Sequence, residues 1–554
     1  MSRRTICLSI FLLTFSQALS FQAQENDTPP VTAEEIRAAQ NIIGLKLTQA
    51  EIDSLLDGVK RNLRNYKTMH ELQVPNSVPP ALHFNPLPLG FTLDKNQKEL
   101  QFSNPKQRNV PDNLEEIAFA SVRDLAELIR TRKITSTNLT KMYLARLKKY
   151  GSQLECVVTL TEELALKQAK RADEEIAAGE YRGLLHGIPY GAKDLLAVKG
   201  YKTTWGAMPY KDQEIDENAT VIRKLEEAGA VLVAKLTLGA LAWGDVWYGG
   251  KTKNPWNLEQ GSSGSSAGSA SATAAGLVAF SIGTETLGSI VSPSTRCGVT
   301  GLRPTFGRVS RAGAMALSWS MDKIGPMCRT VEDCAIVFEA IRGVDGLDPT
   351  LINAAFNYDA QKSISEIRIG YLKSAFERDS RNKDRDGQVL ETLRGLGVEL
   401  IPIELPQTPV RSISFILNAE AAAAFDDLTR SNQDDLLVRQ IKNAWPNAFR
   451  TARFIPAVEY IQANRIRYQV IQEMQKVMEN IDVYVAPSFG GVNLLLTNLT
   501  GHPCVVLPHG FSDNGSPTSI SFIGALFNES DALRVAKAYQ NATDHHLKHP
   551  PMFQ

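Results

Sequence analysis

The sequence predicts an α/β fold in which a central mixed or parallel β-sheet is covered by helices on both faces. Helical stretches at 122–132, 137–150 and 161–178 alternate with short runs of β-branched and apolar residues. Five such runs have the length and composition of buried strands: Val157–Leu160, Val231–Ala234, Ile367–Tyr371, Val483–Ala486 and Cys504–Leu507. Strands that alternate with helices in this way are typical of a sheet buried between two helical layers.

Length and composition allow a large core, because the chain has 554 residues and 43% of them are hydrophobic. Lysine and arginine together number 60, as do aspartate and glutamate. This balance gives no indication of a nucleic-acid or membrane-surface partner. The six cysteines lack metal-site spacing and are too few for a dense disulfide framework. Buried thiols are the preferred interpretation, and a single disulfide is left open.

The N-terminus has the order of a secretory signal peptide, which we assign to residues 1–23. Two arginines precede the apolar run Ile6–Phe15, and small and polar residues follow it. Cleavage after Ser20 or after Ala23 fits the pattern. The apolar run is short for a bilayer, so no stable membrane span is expected after cleavage. We therefore expect an exported protein, periplasmic or secreted, with an ordinary N-terminal helix as the alternative.

Residues 24–114 are predicted to form a helical and proline-rich extension. Two helices are expected within 32–70, because Thr32 and Thr48 are each followed three residues later by glutamate, the spacing of a capping box. The segment from Pro75 to Pro111 contains seven prolines. That density excludes a regular helix and indicates an extended wrap or a linker.

A glycine- and serine-rich stretch at 261–276 is the most unusual segment of the chain. Such a composition is often a flexible linker. Here the stretch runs directly into the apolar residues Leu277–Ile282 and a second glycine-rich turn, Gly283–Ser289. Flexible linkers seldom lie between such elements in the middle of a domain, so a structured site loop is the favoured interpretation.

A serine in this loop needs a base before it can act as a nucleophile. The eight histidines offer poor candidates, since three lie in the C-terminal tail and His186 is interpreted as structural. Gly264–Gly268 fits the G-x-S-x-G nucleophile elbow with Ser266 at its centre, but that motif requires a preceding apolar strand. The polar residues at 257–263 predict none.

Lys193 is the other candidate base, in the segment GIPYGAKD at 187–194. A lone lysine is normally a solvated surface charge. It can accept a proton only if burial or nearby positive dipoles lower its pKa enough to leave the amine neutral.

Several separated blocks resemble the amidase-signature family. The stretch from Gly264 to Pro326 is similar to the signature itself. The blocks GIPYGAKD at 187–194, AGAVLVAKLTLGALAWG at 228–244 and GHPCVVLPHGF at 501–511 occur in the order expected for the family. The resemblance extends over roughly residues 115–545 and implies an amidase-signature fold, with a catalytic domain at 115–554.

The resemblance implies a catalytic triad of a lysine, a serine with a cis peptide bond and a second serine. Lys193 matches the lysine and Ser289, in TLGS, matches the nucleophile. The family places its two serines 24 residues apart, which selects Ser265 (289 − 265 = 24). Assigning Ser262 or Ser263 instead would require a length change in the following helix.

The turn before the nucleophile is expected to supply an oxyanion hole from the backbone N–H groups of Thr286, Leu287, Gly288 and Ser289. Leu287 departs from the family, where many members have glycine, but a backbone donor is retained. By position, Ala242 matches residues of some relatives that contact the acyl chain. The mechanism implied by the resemblance requires no metal or organic cofactor.

The resemblance therefore implies an exported serine amidase that hydrolyses a carboxamide C–N bond through an acyl-enzyme on Ser289. Its partner would be a small-molecule fatty-acyl, aryl or peptide amide and no nucleic acid, and a homodimer is left open. The alternatives are an amidotransferase-type subunit using glutamine-derived ammonia and a non-catalytic binding protein on this fold. Four aromatic residues in variable segments fit either an apolar substrate or ordinary core packing: Trp205, Phe415, Phe425 and Trp445.

Overall fold

The computed structural model describes residues 31–554, apart from Gln73 and Gln107. The expected signal peptide at 1–23 lies outside the described residues. The chain divides into two compact units, the first ending at residue 73 and the second spanning Val74–Gln554. The proline-rich part of the predicted extension thus belongs to the second unit.

The first unit contains the helices α1 (Ala33–Ile43) and α2 (Gln49–His70). Both begin with a complete capping box, at Thr32 with Glu35 and at Thr48 with Glu51. Each threonine side chain accepts the backbone N–H of the glutamate, whose carboxylate accepts the backbone N–H of the threonine. These bonds satisfy N–H groups that a helix start leaves without an intrahelical partner. Both predicted helices are confirmed.

The proline-rich segment has no helix or strand in its described part of 74–111. It lies along the second unit through specific contacts. The Gln101 N–H donates to the Tyr358 carbonyl over 3.0 Å, and the Phe84 ring packs edge-on against Phe306 with 5.0 Å between ring centroids. The prediction of an extended wrap is confirmed.

Fifteen strands lie in the described part of the second unit. They are β1 (Val157–Leu160), β2 (Pro189–Lys193), β3 (Val231–Leu236), β4 (Val246–Trp247), β5 (Gly250–Lys251), β6 (Lys253–Asn254), β7 (Asn257–Gly261), β8 (Phe280–Glu285), β9 (Thr300–Arg303), β10 (Lys323–Cys328), β11 (Ile369–Leu372), β12 (Leu400–Ile403), β13 (Val483–Pro487), β14 (Cys504–Phe511) and β15 (Pro517–Gly524). Eleven of them form one mixed sheet in the order β1-β3-β2-β8-β10-β9-β14-β15-β13-β11-β12.

Helices surround this sheet. They are α3 (Val122–Arg130), α4 (Ser136–Leu154), α5 (Glu162–Ala177), α6 (Thr220–Glu227), α7 (Ala267–Ala274), α8 (Val291–Cys297), α9 (Val331–Ile341), α10 (Lys373–Glu377), α11 (Lys383–Gly395), α12 (Phe415–Ala424), α13 (Asp426–Arg430), α14 (Trp445–Ala452), α15 (Ala457–Met478), α16 (Asn493–Thr500) and α17 (Glu529–Asn541). Within residues 31–554, Gln73 and Gln107 aside, none of the helices has both the length and the apolar character needed to cross a membrane.

Both faces of the middle of the sheet are covered. Every residue of β2, β3, β8, β10 and β15 is buried. Successive side chains of a strand point to opposite faces, so complete burial requires a layer on each side. The predicted α/β fold with a covered mixed sheet is confirmed.

The five predicted strands are present as β1, β3, β11, β13 and β14, with ends shifted by a few residues. The pattern does not predict β10, because Gly325 and Pro326 are poor strand formers. Antiparallel pairing with β8 and β9 on its two sides supports β10 in spite of its composition. The expectation of no strand at 257–263 is wrong, since β7 lies there. However, β7 pairs only with β6, in a ribbon outside the central sheet.

Candidate active site

Lys193 is the last residue of β2, in the middle of the sheet, and its side chain is fully buried. Its Nζ lies 2.8 Å from Ser265 Oγ, 3.1 Å from Ser266 Oγ and 2.9 Å from Thr284 Oγ1. Among the described residues, no carboxylate forms an ion pair with Lys193. The lysine that the sequence alone leaves as a surface charge is therefore buried among hydroxyl groups.

Burial lowers the pKa of Lys193 to about 7, because removal from water penalises the charged ammonium. The negative charges of Asp322 and Glu285 oppose this shift. A substantial fraction of the amine is thus neutral near pH 7, as a general base requires.

The hydrogen bonds around the amine assign each neighbour a role. Ser266 Oγ donates to the Thr284 carbonyl over 3.0 Å and accepts the Thr284 N–H over 3.1 Å, so it can only accept from Lys193. A neutral amine has two N–H donors and one lone pair. With Ser266 Oγ and Thr284 Oγ1 accepting those N–H groups, the lone pair faces the hydroxyl of Ser265.

Ser265 follows a cis peptide bond from Gly264, the only cis bond within the described residues. Its side chain is almost completely buried, with 1% exposed. The backbone of Gly264 passes so close to Gly244 that a Cβ at position 264 would lie 1.9 Å from the Gly244 carbonyl oxygen. Glycine is therefore required for the loop to bring Ser265 to Lys193.

Ser289 lies in the turn between β8 and α8, and 8% of it is exposed. The N–H of Ser266 donates to its carbonyl over 3.2 Å, which joins the turn to the serine-rich loop. Among the described residues, the Ser289 hydroxyl makes no hydrogen bond to that of Ser265. The structure thus brings Lys193 and Ser265 into direct contact and places Ser289 on the adjoining turn.

Ser266, the centre of the elbow-like motif, has a different environment. Its hydroxyl bridges the backbone N–H and carbonyl of Thr284 and is completely buried. A side chain held in this way supports the loop against β8 and is not directed towards a substrate.

The four N–H groups of residues 286–289 form no hydrogen bond within the described chain. They lie on one sharp turn, in which Gly288 has a φ of +81°, a value in the left-handed region that favours glycine. The Leu287 side chain is 38% exposed, so it leaves the turn outward. Free N–H groups on consecutive residues are the arrangement that an oxyanion hole uses.

Glu285, which the sequence analysis did not assign a role, fixes this turn. Its carboxylate is completely buried and accepts the N–H groups of Ile290 and Val291 over 2.8 and 2.9 Å. It also pairs with Arg303 over 2.8 Å and accepts from Asn498 over 2.8 Å. Burial raises the pKa of Glu285, but Arg303 and these donors outweigh it and hold the value at about 2. The carboxylate therefore stays charged and anchors both ends of the turn.

Replacing Glu285 with glutamine is expected to destabilise the fold by about 3 to 5 kcal/mol, because it leaves Arg303 buried without its counter-charge. The measurement is urea-induced unfolding of wild type and variant. The matched control is Glu127→Gln, which breaks the exposed pair with Arg130 and should stay within about 1 kcal/mol of wild type. Equal effects at the two positions would contradict the anchoring role of Glu285.

Asp322 holds the turn from the other side. One of its oxygens accepts the Thr286 hydroxyl over 2.5 Å, and the other accepts the N–H groups of Leu317 and Ser318 over 2.8 and 2.9 Å. Burial raises the pKa of the Asp322 carboxyl, and the bond from Thr286 opposes that shift. Asp322 thereby links the turn to the loop at 317–322.

A cavity of about 280 Å³ opens beside the turn and is lined by Thr284, Thr286, Asp322 and Ala242, among others. Ala242, the predicted substrate contact, thus lies on the cavity wall. It has a φ of +62°, and its neighbour Leu241 has a φ of +50°. Non-glycine residues in this region are strained and cluster at functional sites.

The aromatic residues of the variable segments pack against one another. Phe449 stacks on Phe425 and on Trp445, with centroid distances of 5.5 and 5.1 Å, and Trp205 meets Phe425 edge-on at 6.2 Å. Phe415 packs against a separate apolar cluster. None of these side chains lines the 280 Å³ cavity. Core packing therefore explains them, and they give no support for an apolar substrate.

The remaining candidates have structural environments. His186 is buried, accepts the Arg182 N–H at Nδ1 over 3.1 Å and lies 3.0 Å from Glu175 at Nε2. The five cysteines in the described residues are buried and free. Cys7 lies outside the described residues.

Comparison with known proteins gives consistent matches. The Amidase family profile matches residues 138–493. A glutamyl-tRNA(Gln) amidotransferase subunit from Acinetobacter baumannii is 34% identical over 484 residues, which is 77% of this chain and 97% of the relative.

Two solved structures match over most of their lengths. The peptide amidase of Stenotrophomonas maltophilia is 30% identical, with a TM-score of 0.70 over 77% of this chain and 97% of its own. An amidase family protein of Bacillus anthracis is 27% identical, with a TM-score of 0.70 over 79% and 93%. By sequence profile and by fold, the chain belongs to the amidase family of amidase-signature proteins.

Proposed function

We propose that this protein is a serine amidase that hydrolyses a carboxamide C–N bond through an acyl-enzyme on Ser289. The observation that carries the proposal is the buried Lys193, which lies 2.8 Å from Ser265 with no carboxylate partner among the described residues. A surface lysine would be charged at neutral pH, whereas this amine has the pKa of a usable base.

In the proposed first half-reaction, Ser289 Oγ attacks the amide carbonyl carbon as its proton passes to Ser265 Oγ. Ser265 passes its own proton to the lone pair of Lys193 Nζ. The carbonyl oxygen becomes an oxyanion, which the N–H groups of residues 286–289 stabilise, since these donors have no partner within the described chain.

Collapse of the tetrahedral intermediate breaks the C–N bond. The leaving nitrogen takes a proton from Ser265, which recovers one from Lys193, because an amine is expelled poorly as an anion. The products of this half-reaction are the free amine and an ester on Ser289.

In the second half-reaction, a water molecule gives a proton to Ser265, which passes one to Lys193, and attacks the ester carbonyl. The intermediate collapses and returns the proton to Ser289 Oγ, which releases the carboxylic acid. Lys193 is neutral again, so protons balance over the cycle.

The test is a panel of fatty-acyl, aryl and peptide amides, with release of ammonia or amine as the readout. We expect hydrolysis of at least one class by the purified protein without a partner or an added cofactor. No hydrolysis of any amide, together with no reaction of Ser289 with a fluorophosphonate, would overturn the proposal.

An amidotransferase subunit is a second candidate, favoured by the 34% identity to relatives of that name. Glutamine is therefore included in the panel. Ammonia release from glutamine, with no hydrolysis of the other amides, would favour this candidate over the first.

We also propose that the protein is exported, which rests on the signal-peptide pattern at 1–23. N-terminal sequencing of the protein recovered from the periplasm or medium is expected to begin at Phe21 or Gln24. Recovery only from the cytoplasm, with Met1 retained, would contradict export.

A further inference from the structure

The cavity beside the catalytic turn is closed by residues from outside the segment that matches the family. Asn76, Ser77 and Pro79 of the proline-rich segment line it, while the family profile begins at residue 138. The wall of the candidate site therefore includes a contribution of this chain's own N-terminal extension.

Asn76 attaches that segment to the cavity. Its Nδ2 donates to the Ala316 carbonyl over 2.9 Å, and its Oδ1 accepts the Ala316 N–H over 2.8 Å. Nδ2 also lies 3.3 Å from the Ala424 carbonyl oxygen. A side-chain amide that pairs with both polar groups of one peptide residue imitates a strand pairing and fixes the segment in register.

A second and larger cavity, of about 1270 Å³, lies on the other side of this wall. Trp319 lines both cavities. Pro79 lines the smaller one, and its neighbour Pro80 lines the larger one. Trp319 and this proline pair thus form a partition between the two.

The partition is held rigidly. Buried Glu420 accepts the hydroxyl of Ser318 over 2.7 Å and the N–H of Ser320 over 3.0 Å, the residues on either side of Trp319. Buried Arg467 donates to the Ser320 carbonyl over 2.9 Å. The same loop reaches the oxyanion turn through Asp322, so the position of Trp319 is fixed relative to the reacting carbonyl.

We propose that Trp319 and Asn76–Pro79 form a size filter that limits the acyl group accepted at Ser289. The proposal rests on the proposed amidase function. With the partition in place, the acyl group is confined to about 280 Å³; without the indole, the two cavities join, and a longer acyl chain can extend into the larger one.

The test compares wild type with Trp319→Ala on acyl p-nitroanilides from two to twelve carbons. The ratio of kcat/KM for the longest to the shortest acyl group is expected to rise by about tenfold or more, since pocket fit commonly discriminates single methylenes by that factor. Asn76→Ala, which releases the segment, should shift the ratio in the same direction by a smaller factor. If Trp319→Ala does not fold, Trp319→Leu carries the test.

Two controls make the result specific. Phe511→Ala removes an aromatic ring that lines neither cavity and should leave the ratio unchanged. A second series, with a fixed acetyl group and leaving amines of increasing size, should give the same profile for wild type and Trp319→Ala.

An unchanged acyl ratio in the Trp319 and Asn76 variants, or a shift only in the leaving-amine series, would overturn the size filter. Labelling of Ser289 by a fluorophosphonate separates this result from failure of the proposed function. Wild type that is neither labelled nor active contradicts the amidase itself, whereas labelled and active variants with an unchanged ratio contradict only the filter.

Discussion

Replacing Ser289 with alanine is expected to lower kcat/KM for amide hydrolysis by about 10⁴-fold or more, because residues acting as a catalytic unit lose most of their rate enhancement together. The free N–H groups of residues 286–289 remain in the variant, so substrate binding should change much less than turnover. The measurement is kcat and KM on the best amide of the panel.

The matched control is Ser294→Ala, five residues further along the chain. Its hydroxyl is buried without a hydrogen-bond partner among the described residues, so its removal should leave both stability and activity close to wild type. Retention of full activity by Ser289→Ala would exclude Ser289 as the nucleophile.

Replacing Lys193 with alanine is expected to lower kcat by about 10²- to 10⁴-fold, the usual contribution of a general base. The wild-type rate should depend on pH with the sign of a base. Below the pKa of about 7 the amine is protonated and inactive, and above it the amine is neutral, so kcat/KM should rise through pH 7 and level off at higher pH.

The pH profile separates a base from a residue that only supports the fold. Lys193→Ala should lose the inflection near pH 7 as well as the rate, whereas a structural residue would lower the rate at every pH alike. The same inflection in wild type and variant would contradict the role of Lys193.

The sequence predicts the type of fold better than the details of its sheet. Strands rich in β-branched residues, such as β3 and β13, are evident from local composition. Strand β10 is not, because Gly325 and Pro326 argue against a strand and only pairing on both sides supports it. Local propensity carries no information about such tertiary partners.

The candidate site shows the same division. Family spacing alone places Lys193, Ser265 and Ser289, and the structure puts the first two in contact. The supports of the site, Glu285 and Asp322, depend on contacts between residues distant in sequence, so no local pattern indicates them.

The extension gives a further example. Proline density correctly predicts that residues 75–111 are extended, but composition does not indicate what an extended segment lies against. That Asn76 reaches the wall of the catalytic cavity depends on its pairing with Ala316, 240 residues away. The catalytic roles themselves stay predictions until they are measured.

The most direct test of the central claim is to identify the residue that forms the covalent intermediate. The protein is treated with a fluorophosphonate, and the adduct is located by intact-mass measurement and peptide mapping. We predict a single adduct on Ser289, absent from Ser289→Ala and formed much more slowly in Lys193→Ala. An adduct on Ser265 or Ser266, or labelling that persists in Ser289→Ala, would contradict Ser289 as the nucleophile.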